Sequence, residues 1–261
     1  MIGIIGGSGF YELAEDQEEQ RIETPFGDVV VYKGVLFGKE IIFLPRHGIK
    51  HSIPPTKINY FANIFALRKI GVSEVISTTA CGAISRRPGE LVILSDFIDL
   101  TTDRKKTFYD GEFSAIFDGK KYEGVKHANM VPPFCPRLRE ELISVASREM
   151  IDIVPFGIYA TMEGNRYETP AEIRMLRLLG ADCVGMTLSP EAALARELEM
   201  CYASIGVMTN YAAGITEEPL SHEEVIEMFS RKIDLVKRII REFVRNHQVG
   251  KECPYCRWLH K

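Results

Sequence analysis

Tyr167 and Glu168 stand side by side in the stretch Thr161-Met162-Glu163-Gly164-Asn165-Arg166-Tyr167-Glu168-Thr169-Pro170-Ala171-Glu172. The tyrosine offers a flat apolar face, and the carboxylate can accept a hydrogen bond from a ring N–H. Arg46-His47 closes another apolar run, and an adjacent arginine and histidine suit a bound oxyanion, the arginine through a bidentate fork. Thr78-Thr79-Ala80-Cys81-Gly82 supplies hydroxyls and small residues that leave room for a ligand. Thr187 and Asn210 add a hydroxyl and an amide at the ends of two further runs. In Gly6-Gly7-Ser8-Gly9 the glycines let backbone N–H groups approach an anion closely, and Ser8 adds a donor; a phosphate nest and a plain turn both fit. This is not a dinucleotide fingerprint, because the third glycine of G-x-G-x-x-G counted from Gly7 falls on Glu12, and no G-K-[ST] follows. Taken singly, each cluster also reads as a surface turn or a helix cap.

These residues share a place at the ends of apolar strands, where open α/β sheets hold their ligands. Residues 29–32 and 40–44 read as paired strands, the second delivering Arg46 and His47. Apolar residues at 58, 61, 64, 65 and 67 have helical spacing. A β-branched strand from Glu74 ends in the Thr-Thr-Ala-Cys-Gly run, and residues 91–94 and 97–100 continue the sheet. The segment 104–121 is polar, aromatic and irregular, a candidate lid or interface loop, and residues 136–150 read as an amphipathic helix. Residues 157–160 form the strand before the Tyr167–Glu168 loop, and a helical pattern follows it. Cys183 to Thr187 is a short strand, and Pro190-Glu191 opens a helix with the acid favoured by the helix dipole. Residues 202–208 are a buried strand leading to Asn210. Ser221-His222-Glu223-Glu224 is a capping box for a long helix over residues 225–246. This alternation predicts a single α/β domain, a mixed central sheet flanked by helices, over residues 1–248, with a short tail over 249–261.

With 261 residues, 46% hydrophobic and 26% charged, the composition is that of an ordinary globular protein. A net charge of −4 without a basic run argues against nucleic acid as a partner. No apolar stretch approaches the roughly 20 residues that span a bilayer, and no basic region precedes the first apolar run. Both point to a cytoplasmic protein with no membrane partner. Six cysteines occur at 81, 135, 183, 201, 253 and 256. Cys253-Pro254-Tyr255-Cys256 has only His260 close by in sequence, short of the about four ligands of a zinc site, so a local disulfide is the favoured reading and no metal is expected. Six asparagines and three glutamines in the whole chain fit a thermophile, whose cytosolic proteins do carry disulfides.

Taken together these stretches resemble the trimeric purine nucleoside phosphorylase and methylthioadenosine phosphorylase family, over nearly the whole chain. The glycine–serine turn at 6–9, Thr56-Lys57-Ile58-Asn59-Tyr60, Thr78-Thr79-Ala80-Cys81-Gly82, Thr107-Phe108-Tyr109-Asp110-Gly111, Pro133-Phe134-Cys135-Pro136 and Gly185-Met186-Thr187 look like the methylthioadenosine branch. The resemblance implies reversible phosphorolysis of a purine nucleoside, with inorganic phosphate as co-substrate and no cofactor. Phosphate would lie on Ser8, Arg46, His47, Thr79, Ala80 (through its backbone N–H) and Thr187. Met186 would pack on the ribose and Tyr167 on the base, with Tyr211 and Ala212 beside them. A homotrimer, or a dimer of trimers, is implied.

The base pocket departs from that branch. Its two aspartates correspond to Asn210 and Ala212 here, and its pocket serine to Glu168. Glu168 with Asn210 resembles the 6-oxopurine phosphorylases, and the chemistry agrees. Glu168 can accept from the N1–H of hypoxanthine or guanine, which neutral adenine lacks, and Asn210 can serve O6 and N7. These two are the expected catalytic and base-reading residues. His222 resembles a histidine that faces the 5′-hydroxyl, which favours inosine and guanosine; methylthioinosine remains the alternative substrate. A purine-binding module without catalysis is a further reading, which the retained phosphate residues disfavour.

Overall fold

The computed structural model describes residues 1–7, 10, 13–49, 51–217, 221–250 and 253–259, apart from the side chains of Glu15 and His222. In chain order its elements are β1 (Ile2–Gly6), β2 (Glu15–Ile22), β3 (Val29–Leu36), β4 (Lys39–Pro45), α1 (Tyr60–Lys69), β5 (Glu74–Ala83), β6 (Leu91–Ile93), β7 (Asp96–Asp99), β8 (Asp110–Phe117), β9 (Lys120–Val125), α2 (Pro136–Arg148), β10 (Ile158–Thr161), α3 (Pro170–Leu178), β11 (Cys183–Gly185), α4 (Leu188–Glu197), β12 (Cys201–Tyr211) and α5 (His222–Asn246). The main sheet runs β2-β3-β4-β1-β5-β11-β10-β7, with β12 added on β5 and β6 on β12. It mixes parallel pairs such as β1 with β5 and antiparallel ones such as β3 with β4. This is the expected α/β architecture with a mixed central sheet.

Central strands covered on both faces read as unbroken apolar runs, because successive side chains point to opposite layers. In β1, Ile5 joins the layer with α1 and α4, while Ile2 and Ile4 join the layer with α2 and α5. In β4, Ile42 and Leu44 face the first layer, and Ile41 and Phe43 the second.

Three strands, β2, β8 and β9, are not evident in the sequence. Glu-Asp-Gln-Glu-Glu-Gln-Arg-Ile has no apolar alternation, yet it forms β2. It is an edge strand paired with β3, and charged side chains suit an edge that must not recruit further strands. The segment expected to be irregular from residue 104 instead forms most of the β8–β9 hairpin. Phe113 and Phe117 pack there against Phe65, and Phe108 and Phe113 against Phe26.

The long helix is fastened at its far end. The Lys39 ammonium donates to the carbonyls of Val244, Arg245 and His247 at 2.6, 2.9 and 2.7 Å, satisfying acceptors that a helix C-terminus leaves open. Just beyond, the buried His247 ring bonds Glu141 through Nδ1 and Glu74 through Nε2 (2.7 Å), and Arg137 pairs with both acids. Burial opposes charge on all three titrating groups. The mutual contacts nevertheless hold His247 above its ordinary 6.5 and both glutamates below 4.5. The histidine's contribution is complete below pH 6.5 and is lost as pH rises through its raised value. The glutamates' contribution is present above pH 4.5 and is lost as pH falls through their lowered values. His247→Gln should therefore lower stability by about 1–3 kcal/mol, most between those two limits. Melting curves of both proteins across pH test this, and a gap that stays constant with pH would refute it.

No described helix is long and apolar enough to cross a membrane.

Candidate active site

The sheet forks at β5. Its first residues, Glu74–Ser77, pair with β1, and its last two, Gly82 and Ala83, pair antiparallel with β11. Between them, residues 78–81 keep β12 on one edge and, among the described residues, have no strand on the other. A cleft of about 680 Å³ opens there, floored by Thr78, Thr79, Ala80, Cys81 and Gly82. The ends of β4, β11 and β12 and one side of α5 complete its walls.

At one end are Arg46, His47, Thr79 and Thr187. The two threonine hydroxyls lie 3.2 Å apart, and the Tyr159 hydroxyl behind them reaches Thr79 Oγ1 at 3.4 Å and is approached by the Thr187 N–H at 3.5 Å. Gly185 makes room for that tyrosine, because a Cβ there would stand 2.0 Å from its hydroxyl. Thr78 also lines the cleft, and its hydroxyl is buried without a hydrogen-bond partner among the described residues.

Arg46 departs from the expected free fork. Its Nε and Nη2 grip both oxygens of Glu191 at 2.7 Å, Nη2 also donates to Ser77 Oγ at 2.7 Å, and Nη1 donates to the Thr78 carbonyl at 2.9 Å. Among the described residues, four of the five guanidinium N–H groups are thus taken, leaving one Nη1 proton for an anion. Burial works against the charge, but Glu191 keeps the guanidinium firmly protonated. Glu191 is 1% exposed and also accepts from the Tyr202 hydroxyl at 2.6 Å. In the sequence it looked like a first-turn acid; in the fold it is the counter-ion of Arg46. His47 Nδ1 lies 2.8 Å from the Ile53 carbonyl, which fixes the proton there and leaves Nε2 as an acceptor. Burial and the neighbouring Arg46 bring its pKa down to about 4, so the ring is neutral near pH 7.

The Tyr167–Glu168 loop forms the other end, and it is braced along its length. Glu163 accepts the N–H groups of Thr102 and Asp103 and pairs with Arg104, whose Nη1 also donates to the carbonyls of Met186 and Ser189 at 2.8 Å. Gly164, at φ +76°, passes so close to Met186 that a Cβ would meet its sulfur at 2.7 Å. Thr169 and Glu172 complete a capping box at the start of α3, and Arg166 clasps Glu172 with two bonds. Glu168 is held between these fixtures, 8% exposed, and its Oε1 is buried with no partner among the described residues. Burial pushes its carboxyl pKa up.

Asn210 owes its position to a bulge. The β12–β5 register passes from Met208 opposite Cys81 to Asn210 opposite Gly82, leaving Thr209 as the extra residue. The Thr209 hydroxyl donates to Asn210 Oδ1 at 2.8 Å, and Asn210 Nδ2 donates to the Tyr211 carbonyl at 2.7 Å. One amide N–H remains for a ligand.

Of the residues singled out in the sequence, Arg46, His47, Thr79, Ala80, Tyr167, Glu168, Met186, Thr187, Asn210 and Ala212 all line this cleft. Tyr211 does not; it lines an adjoining recess with Pro88 and Arg231. The expectations at Ser8 and at the His222 side chain fall outside the described residues. Not foreseen were Glu191, Tyr159, Arg104 and the apolar wall of α5, formed by Val225, Ile226, Phe229 and Ile233. In sequence that wall is one face of an amphipathic helix and cannot be told from core.

A family model described as the phosphorylase superfamily matches residues 1–245. The chain belongs to that superfamily. A Korarchaeum cryptofilum protein named probable 6-oxopurine nucleoside phosphorylase is 49% identical over 257 residues, covering 97% of this chain and 95% of its own. A Pyrococcus furiosus protein named 6-oxopurine nucleoside phosphorylase is 48% identical, over 92% of this chain and 90% of its own. A probable S-methyl-5′-thioinosine phosphorylase of Methanothermobacter thermautotrophicus is 42% identical, over 97% and 87%. Among solved structures, methylthioadenosine phosphorylase from Schistosoma mansoni in complex with adenine superposes with a TM-score of 0.85 at 34% identity, covering 93% of this chain and 90% of that one. Backbone likeness to the methylthioadenosine branch and relatives named for 6-oxopurines are both as the sequence led one to expect.

Proposed function

We propose that the protein is a 6-oxopurine nucleoside phosphorylase, converting inosine or guanosine and phosphate to the free base and ribose 1-phosphate. The observation that carries this reading is the buried Oε1 of Glu168, without a partner among the described residues, set in the same cleft as the spare amide N–H of Asn210. A purine with N1–H and O6 satisfies both groups. An adenine ring meets the carboxylate with its own N1 lone pair and leaves buried groups unpaired, at about 1–3 kcal/mol each.

At the opposite end, the Thr79 and Thr187 hydroxyls, the Ala80 N–H and the remaining Arg46 proton donate to phosphate. Neutral His47 accepts a hydrogen bond through Nε2 from a P–OH group of monoanionic or dianionic phosphate. The bound anion stabilises positive charge as the C1′–N9 bond breaks. The bonding electrons pass into the purine, where N7 takes a proton from solvent and Asn210 meets the developing charge on the ring. A phosphate oxygen then bonds C1′. Phosphate is the second substrate, and the residues assigned here call for no cofactor. We take the assembly to be a trimer or dimer of trimers in the cytoplasm.

One observation favours S-methyl-5′-thioinosine as the rival substrate: the apolar α5 wall would accept a methylthio group. Turnover of inosine, guanosine, adenosine, methylthioadenosine and methylthioinosine, each with and without phosphate, decides among these. We expect strict phosphate dependence and preference for the oxo over the amino base. Equal release of base in phosphate-free buffer would make the protein a hydrolase and overturn the proposal. A kcat/KM for methylthioinosine about tenfold above that for inosine, roughly 1.4 kcal/mol, would select the rival.

A further inference from the structure

The fold gathers four cysteines that the sequence keeps far apart. Cys135 is the N-cap of α2, Cys201 is the first residue of β12, and Cys253 and Cys256 lie in the C-terminal tail. All four are buried and none is in a disulfide. Their sulfurs lie within 4.8 Å of one another, with Cys135 and Cys253 at 3.6 Å. A disulfide needs about 2.05 Å, whereas four sulfurs at about 2.3 Å from a tetrahedral zinc ion stand about 3.8 Å apart. The cluster has the dimensions of the second arrangement.

Its surroundings suit a tetrathiolate. The Cys256 and Arg257 N–H groups both donate to the Cys253 carbonyl, at 3.1 and 3.2 Å, a tight turn that brings the two tail sulfurs together. Four thiolates on a divalent ion carry a net charge of −2, and two features offset it. Cys135 sits at the positive end of α2, and Arg137 Nη2 lies 3.9 Å from Cys201 Sγ. The buried Arg196 ties the cage together from outside, donating to the carbonyls of Tyr255, Pro132 and Pro133 and accepting from Trp258 Nε1 through its own carbonyl. Of the four, none lines the catalytic cleft.

We propose that Cys135, Cys201, Cys253 and Cys256 bind one zinc ion, which fastens the C-terminal tail to α2 and β12. Binding releases the four thiol protons to solvent, and the binding free energy adds to folding stability. The Cys-Pro-Tyr-Cys turn and its sequence neighbours fall short of four ligands, so no metal is expected from sequence; the fold supplies the other two.

The full-length protein, purified under reducing conditions without chelator, should contain one zinc per chain by elemental analysis. Stripping it with a chelator should lower the melting temperature, and ZnCl2 should restore it. Cobalt(II) added to the stripped protein should give the visible and near-ultraviolet bands of a tetrahedral tetrathiolate. The Cys253→Ser, Cys256→Ser variant should lose the zinc and melt earlier while keeping its kcat/KM for inosine. If that variant fails to fold, the stripped wild type carries the test alone. The proposal is overturned by an intact mass four hydrogens short with no metal, which means two disulfides. It is equally overturned by four free thiols that ignore ZnCl2, or by iron in place of zinc. Metal content is read independently of turnover, so its failure leaves the proposed reaction untouched.

Discussion

Glu168→Gln should depress kcat/KM for inosine by about 10- to 150-fold, the worth of a hydrogen bond to a charged group (about 1.5–3 kcal/mol), while leaving the slow turnover of adenosine little changed. The oxo-over-amino preference should shrink by the same factor. The carboxylate must be ionised to accept from N1–H, and burial raises its pKa above the ordinary 4.5. Wild-type kcat/KM for inosine should therefore fall on the acid side through a group titrating above that value, and the variant should lack this limb. The same shift predicts the effect on stability. A carboxyl whose pKa rises on folding costs stability once pH exceeds its unfolded value, so Glu168→Gln should melt no lower than wild type at neutral pH. A variant that loses stability but keeps its base preference would show Glu168 to be structural.

The second large effect is expected at Glu191. Removing one partner of a buried ion pair leaves the other charge unsatisfied, at about 3–5 kcal/mol, and Arg46 is 3% exposed. Glu191→Ala should melt far below wild type. It should also gain more melting temperature from added phosphate, since the anion then supplies the only charge opposite Arg46. Equal melting temperatures for the two proteins, or equal responses to phosphate, would remove Glu191 from the site. Thermal melting with and without phosphate measures both quantities.

The contrast between Glu168 and Glu191 shows what a linear chain reveals. Glu168 was legible because its neighbours on the loop announce a strand end and because its chemistry matches a ring N–H. Glu191 was not, since an acid after Pro190 is a common start to a helix, and its partner Arg46 lies 145 positions away. The long-range pairing that decides its role leaves no local trace. The same holds for Cys135 and Cys201 with the tail cysteines, and for the edge strand β2, whose charges obscure its extended conformation. Central strands were legible because double-sided burial imposes an apolar run whatever their partners. Asn210 was found by position, but the bulge at Thr209 that aims it has no signature in Met208-Thr209-Asn210.

The fork in β5 separates two kinds of inheritance. Groups near the gap at residues 78–81 that would serve phosphate in the proposed reaction include main-chain atoms, present whichever side chains the positions carry. The base, by contrast, would be read in the proposed reaction by two side chains, Glu168 on its loop and Asn210 in β12, each held by its own braces. A lineage built on this plan can exchange one purine for another through a few point substitutions without rebuilding its reactive half. Relatives of one backbone that bear 6-oxopurine, methylthioinosine and methylthioadenosine names are the diversity such a division of labour permits.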